Sequence, residues 1–126
     1  MPENVEVPVH QTSDVTVTAT ADIVGRTFVS IAGRTGGIGD TYEAATTAAG
    51  AQAFGVATQD IATGASATVI GTPGRIVTVT AGDTVSSGAT VEVGTSGRVV
   101  DLDAGVPVGI ALTGGNVNEL IEVKLV

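Results

Sequence analysis

Apolar and polar residues alternate along most of the chain, in short runs separated by turns. Residues 15–32, VTVTATADIVGRTFVSIA, predict two strands on either side of a turn at Asp22–Gly25. Residues 53–70 and 107–126 show the same alternation, which gives one face of a strand to a core and the other to solvent. Runs of this length and period, bounded by glycine-containing turns, predict an all-β fold.

Two segments of the chain repeat one design. Residues 53–70 contain a Gly-Val-Ala strand, a polar connection and an alternating strand, and Gly109-Ile110-Ala111 begins the same series in residues 107–126. The two copies enclose a turn-rich centre, and no linker or change of composition divides residues 15–126. Two copies are too few for a solenoid. We therefore expect a single domain, a compact barrel or sandwich of short strands of the β-clip or β-tulip type.

The first 14 residues are interpreted as an extended N-terminal arm. Their valines alternate as in a strand, while Pro2 and Pro8 restrict such a strand to a sheet edge or a free arm. Two interpretations follow, an edge strand of the domain's own sheet or an arm that pairs with another subunit by strand addition. We adopt the second for residues 1–14. The hypothetical partner interface of this arm comprises Val5, Val7, Val9 and His10.

One segment departs from the β pattern. Residues 40–52, DTYEAATTAAGAQ, are rich in alanine, and Asp40 stands where a helix N-cap is expected. Glu43 occupies the capping-box position three residues later, and Gly50 is a suitable stop. This segment predicts a short helix.

Composition and charge limit the classes of partner. The 126 residues suffice for one modest core, and the formal net charge is −8 with only five dispersed basic residues. Phosphate backbones and anionic lipids repel such a chain, so nucleic acid and membranes are excluded as partners. No apolar run reaches the roughly 18–20 residues of a membrane span, and no basic-plus-apolar signal pattern is present, so we expect synthesis in a cytoplasm.

Two stretches resemble motifs of cofactor-binding proteins, but neither has the residues that binding a cofactor requires. Residues 81–93, AGDTVSSGATVEV, have the turn pattern with which lipoyl and biotinyl domains begin, but the single lysine is Lys124, in the final strand rather than at a hairpin tip. Residues 33–41, GRTGGIGDT, lack the Lys-Ser/Thr pair and the glycine spacing of a phosphate-binding loop, and Asp40 would repel phosphate. We expect no cofactor.

Candidate catalytic and metal-binding residues are few as well. The chain has no cysteine, and Asp101 and Asp103 supply only two carboxylates where calcium takes six to eight oxygens. His10 is the single histidine and lies in the arm, without a second residue to orient it. We expect neither a metal site nor an enzyme.

Three stretches, taken in their order along the chain, resemble the small capsid decoration (head cement) proteins of tailed phages, in particular phages of actinobacterial hosts. These stretches are residues 53–70, residues 79–102 and residues 105–126, and GRTFVSIAG at residues 25–33 is a weaker fourth. The likeness covers about the last 75 residues and rests on the succession of short motifs.

The resemblance implies an all-β subunit on the outer surface of the virion. Such proteins bind the expanded icosahedral shell as homotrimers at three-fold and local three-fold positions, where they bridge neighbouring copies of the major capsid protein and stabilise the head. The resemblance carries no catalytic residue. The residues themselves leave another class open, a structural β module of a phage tail or baseplate or of a bacterial surface protein, which would share this composition.

Overall fold

The computed structural model describes residues 14–34 and 41–126, and the first half of this part of the chain forms a closed β-barrel. Five strands close the barrel in the order β1-β3-β2-β4-β5, with β5 antiparallel to β1 and β3 parallel to it. The strands are β1 (Asp14–Ala19), β2 (Phe28–Arg34), β3 (Tyr42–Thr46), β4 (Gly55–Ala57) and β5 (Ser66–Ile70). We call this barrel the first unit.

The second half forms a five-stranded sheet in the order β6-β10-β9-β7-β8. A single parallel bridge between Ala81, which follows β6, and Val99 of β8 brings the two outermost strands together. The strands are β6 (Ile76–Thr80), β7 (Thr90–Val93), β8 (Val99–Asp101), β9 (Gly109–Ala111) and β10 (Leu120–Leu125), with a 3₁₀ turn at Thr95–Gly97. We call this sheet the second unit. The predicted all-β fold is confirmed.

The two units repeat one another strand for strand and in register. The pair Val29–Gly55 of β2 and β4 corresponds to Val91–Gly109 of β7 and β9, so the offset is 62 residues in the first strand and 54 in the second. The parallel pair Ala19–Ala44 likewise corresponds to the bridge Ala81–Val99, with offsets of 62 and 55. The predicted repeat of residues 53–70 in residues 107–126 is confirmed, and it extends over both halves of the described chain.

The turns follow the same repeat. Arg26 precedes β2 with a φ of 64°, and its equivalent Gly88 precedes β7 with a φ of 84°. Gly64 before β5 and its equivalent Asn118 before β10 have φ values of 82° and 69°. Each turn requires the left-handed region, which glycine and asparagine adopt with little strain. The repeat therefore includes backbone conformation as well as strand pairing.

Two hydrophobic cores accompany the two units, and they are not independent. The first core lies inside the barrel and includes Val17, Val29 and Val69, all fully buried. The second lies on the second unit but also contains Phe28 and Val56 of the first unit, which are 1% and 2% exposed. Burial of these two side chains joins the units through apolar contact.

The predicted helix over residues 40–52 is wrong where the structure describes it, because Tyr42–Thr46 form β3. This strand is hydrogen-bonded on both sides, to β1 and to β2. Ala44 at its centre is fully buried. Pairing on two sides satisfies the backbone N–H and C=O groups that a helix would have satisfied internally, so tertiary context overrides the local capping signals.

Glu92 is the buried carboxylate of the second unit, with 8% of its surface exposed. Its Oε1 accepts hydrogen bonds from the backbone N–H groups of Asp103, at 2.6 Å, and Gly105, at 2.9 Å. The side chain thereby fixes the turn that follows β8. Of the two acidic residues considered above as a cation site, Asp101 is the last residue of β8 and Asp103 belongs to this turn.

Replacing Glu92 with alanine is expected to lower the free energy of unfolding by about 2 kcal/mol, because two partly buried N–H groups lose their acceptor. Urea unfolding followed by circular dichroism measures the change. Glu122→Ala, at an exposed position of β10, is the control and is expected to change stability by less than about 0.5 kcal/mol. Equal losses in the two variants would contradict the role given to Glu92.

Candidate functional site

The predicted partner interface lies outside the described residues. Val5, Val7, Val9 and His10 all precede Asp14, where β1 begins. Residues 1–13 lie outside the described part, so the predicted arm and its four interface side chains stay a prediction, while Asp14, the last residue assigned to the arm, is the first residue of β1.

The part of the chain that the structure describes contains few candidates for a metal or cofactor site. Residues 14–34 and 41–126 contain no group of three or more histidine, cysteine, aspartate or glutamate residues placed to hold a metal ion. Within the same residues, no helix is long and apolar enough to cross a membrane. Lys124 lies within β10, paired with Ile76 and Ile110 on the two neighbouring strands, and so is inside a sheet rather than at the tip of a hairpin.

Asp22 is the one described residue whose pKa is clearly shifted, and its environment is structural. The backbone N–H of Thr63, at 2.9 Å, and then the Thr63 hydroxyl, at 2.8 Å, donate to Asp22 Oδ1 and hold its pKa below the ordinary value. Nearby, the backbone N–H of Gly25 donates to Asp60 Oδ1 at 2.7 Å. These bonds connect the loop before β2 to the loop before β5, so the role of Asp22 is to hold the two loops together rather than to donate a proton.

The glycine-rich stretch at residues 33–41 begins in β2, which ends at Arg34, and continues into the β2–β3 connection, of which residues 35–40 lie outside the described part. The offset between the repeats falls from 62 at β2 to 55 at β3, so the segment from Ile31 to its partner Ala44 is seven residues longer than the equivalent segment from Val93 to Val99. The glycine-rich stretch therefore lies where one copy of the repeat is longer than the other.

The clearest candidate surface is an apolar depression at one end of the barrel. Its lining residues are Val15, Ile31, Tyr42 and Phe54, and we call this surface the barrel mouth. Ile31 is 37% exposed and Phe54 is 38% exposed, which is unusual for side chains of this size grouped together. Arg34 lies at the rim, with its guanidinium carbon 5.0 Å from the centre of the Tyr42 ring.

A smaller cavity of about 110 Å³ adjoins the mouth and shares Phe54 with it. Ala53, Val108, Leu125 and Val126 also line this cavity, so it lies at the junction of the two units. Pockets for small molecules typically have roughly 300–1,000 Å³ and a few convergent polar groups. The mouth, at about 310 Å³, reaches this size, but three of its four lining side chains are apolar and the fourth is a tyrosine. The apolar, largely open surface around Phe54 is more typical of contact with protein.

The alternation of apolar and polar residues does not predict the mouth, because the exposure of Ile31 and Phe54 depends on how the strands close into a barrel. A comparison of the two repeats does point to it. The aromatic residues Tyr42 and Phe54 stand at the positions of Gly97 and Val108 in the second unit, so the repeat places bulky rings in only one of its copies.

Comparison with known proteins identifies the fold. No protein-family model and no curated protein sequence matches the chain. Among solved structures, the crystal structure of the head fiber gp8.5 N base of bacteriophage phi29 matches with a TM-score of 0.72 and 20% sequence identity. The match covers 90% of this chain and 92% of the phi29 chain. At this identity the likeness shows a shared all-β fold.

Proposed function

We propose that this chain is a structural protein of a phage head, which binds the outside of the expanded capsid and stabilises it by bridging neighbouring major capsid subunits. The observation that carries the proposal is the match to the phi29 head fiber base. It takes in nearly the whole of both chains, 90% of one and 92% of the other, rather than one shared supersecondary motif. The sequence resemblance to capsid decoration proteins points independently to the same place in a virion.

The described residues support a structural role. Polar side chains such as Glu92 and Asp22 fix turns, and the described residues contain no group of histidine, cysteine, aspartate or glutamate placed to hold a metal ion. The two units share apolar contact through Phe28 and Val56, which packs them together. A packed pair of units with an apolar surface at one end suits a protein that works by contact.

The proposed mechanism is avidity. A homotrimer at a three-fold position engages several capsid subunits together, and simultaneous contacts raise the overall affinity far above that of one contact. Because the bound protein prefers the assembled shell, it stabilises that shell by mass action. The proposed anchor is the N-terminal arm, with Val5, Val7 and Val9 facing the shell or a sister subunit.

Co-sedimentation tests this proposal. Purified protein is mixed with expanded, undecorated head shells assembled from the capsid protein of the same virus, and bound copies are counted. We expect saturation at the number of three-fold and local three-fold positions. If the folded protein does not co-sediment with the shells, the proposal is contradicted. That result favours a tail, baseplate or surface module, which would occur in few copies or in another place.

The arm is tested in the full-length chain. Replacing Val5, Val7 and Val9 together with serine removes the apolar face of the arm, and we expect loss of shell binding with an unchanged thermal midpoint. The matched control replaces the alternate side chains, Asn4→Ser with Glu6→Gln, and is expected to bind as the unaltered chain does. Binding of the triple variant at full strength would reject the arm as the anchor.

A further inference from the structure

One row of side chains on the outside of the barrel holds the two units together. Phe28 pairs with Val56 across β2 and β4, and Val56 pairs with Ile70 across β4 and β5. Phe28 and Val56 belong to the second core although they lie on strands of the first unit, and Ile70 packs against the same core. We call Phe28, Val56 and Ile70 the inner row. The inner row therefore covers part of the second unit.

The part that the inner row covers is the counterpart of the barrel mouth. In the repeat, Val15 and Ile31 correspond to Val77 and Val93 by the offset of 62, and Phe54 corresponds to Val108 by the offset of 54. Val77, Val93 and Val108 are 6%, 0% and 7% exposed and lie in the same core as Phe28 and Val56.

Tyr42, the fourth residue of the mouth, corresponds to Gly97 by the offset of 55. Gly97 is buried against the first unit, since a Cβ placed there would be 2.8 Å from Cγ2 of Thr46 and 2.9 Å from the backbone carbonyl oxygen of Phe28. All four counterparts of the mouth are thus covered inside the chain, while the mouth itself leaves Ile31 and Phe54 more than a third exposed.

The second unit carries the counterpart of the inner row, extended by Ile76, which stands in the place of Asp14, and this surface is exposed. Thr90 pairs with Ile110, Ile110 with Lys124, and Lys124 with Ile76, in one line across β7, β9, β10 and β6. Ile110 is 39% exposed and Ile76 is 57% exposed. We call Thr90, Ile110, Lys124 and Ile76 the outer row.

We propose that copies of this chain associate head to tail, with the outer row of one copy covering the barrel mouth of the next. The contact continues between chains the same row-on-mouth interface that joins the two units within a chain. An interface of this kind uses two different surfaces, so it closes into a ring when the rotation per subunit allows. The inference rests on the proposed function and deepens its homotrimer, because it names the surfaces through which three copies would close.

The side chains of the two surfaces differ from their counterparts. Tyr42 and Phe54 of the mouth are larger than Gly97 and Val108. In the outer row, Thr90 is smaller than its counterpart Phe28 and leaves room for a larger ring, whereas Ile110 is larger than Val56. Lys124 in the place of Ile70 gives the outer row a charge that the inner row lacks, as expected for a surface that meets water before assembly.

The oligomeric state of variants tests the proposal. Sedimentation equilibrium of the full-length chain is expected to give trimers, and Ile110→Glu or Phe54→Glu alone is expected to give monomers. Either carboxylate must lose its hydration when the two surfaces meet. Lys124, the cross-strand neighbour of Ile110, offsets part of this cost, and we expect association to weaken by at least about 10-fold. Val117→Glu, at a site that is 51% exposed and outside both surfaces, is the control and should remain trimeric.

Mixing the two variants is the decisive measurement. Ile110→Glu keeps an intact mouth and Phe54→Glu keeps an intact outer row, so a mixture can form one sound contact and should give a 1:1 heterodimer. Thermal unfolding checks that both variants are folded. If Phe54→Glu does not fold, Ile31→Glu takes its place at the mouth.

Several results would overturn the proposal. These are a monomeric unaltered chain, single variants that remain trimeric, or folded variants that stay monomeric when mixed. A different result is that the Val5, Val7 and Val9 serine variant loses its trimers while Ile110→Glu keeps them. This result would show that the N-terminal arm, and not the outer row, covers the barrel mouth. Shell binding is measured separately, so an unaltered chain that is monomeric yet decorates shells would refute this interface and leave the proposed function standing.

Discussion

Gly55→Val is expected to leave the chain largely unfolded at 25 °C. A Cβ at Gly55 would overlap the carbonyl oxygen of Ile70 and lie 2.9 Å from the Cα of Gly71. Both neighbours are backbone atoms, at the end of β5 and directly after it, so they cannot move aside as a flexible side chain would. We expect a loss of more than about 4 kcal/mol, at the extreme of single substitutions.

The repeat supplies a matched control for this variant. Gly64 has a φ of 82°, a Cβ added there would meet no atom within 4 Å, and its counterpart in the second unit is already asparagine, Asn118. Gly64→Asn should therefore change the free energy of unfolding by less than about 1 kcal/mol. Circular dichroism in increasing urea compares the two variants. A Gly55→Val protein with a cooperative transition near that of the unaltered chain would contradict the close approach of β4 to β5.

Phe28→Ala is expected to cost about 3–5 kcal/mol, the range for removal of a buried aromatic side chain. Phe28 is 1% exposed and lies on a strand of the first unit but in the core of the second. Its loss opens a cavity between the units and removes the largest side chain of the inner row. We also expect the second unit to lose protection from hydrogen exchange ahead of the barrel, because its end is no longer covered.

The other phenylalanine is the control for that experiment. Phe54 is 38% exposed in the isolated chain, so Phe54→Ala should cost less than about 1.5 kcal/mol in protein dilute enough for copies to be separate. Native-state hydrogen exchange and urea unfolding give the two readouts. Similar losses in the two variants would show that Phe28 does not join the units.

The sequence pattern predicts the class of fold well because strand alternation is local. Residues 15–32 contain the expected pair of strands, and the repeat of residues 53–70 in residues 107–126 is evident from the Gly-Val-Ala and Gly-Ile-Ala strands. The wider repeat is hidden for a physical reason. Its register is held by buried positions such as Val17 and Val79, whereas seven additional residues between Ile31 and Ala44 shift the alignment of everything that follows.

The helix predicted at residues 40–52 shows the opposite limit. Alanine and capping signals are local, but the fate of Tyr42–Thr46 depends on β1 and β2, which need a strand between them to close the barrel. The mouth cannot be predicted from local sequence pattern either. Its exposure stands out only when Ile31 and Phe54 are compared with their buried counterparts Val93 and Val108.

The first and last strands of the described chain have a mechanical consequence. β1 lies between β3 and β5, and β10 lies between β6 and β9, so neither terminal strand is at an edge. In antiparallel ladders the hydrogen bonds run roughly perpendicular to the strands. Tension applied along β1 or β10 must shear the bonds on both sides together instead of peeling them one at a time. A body tethered through either end would therefore resist pulling far better than its modest size suggests.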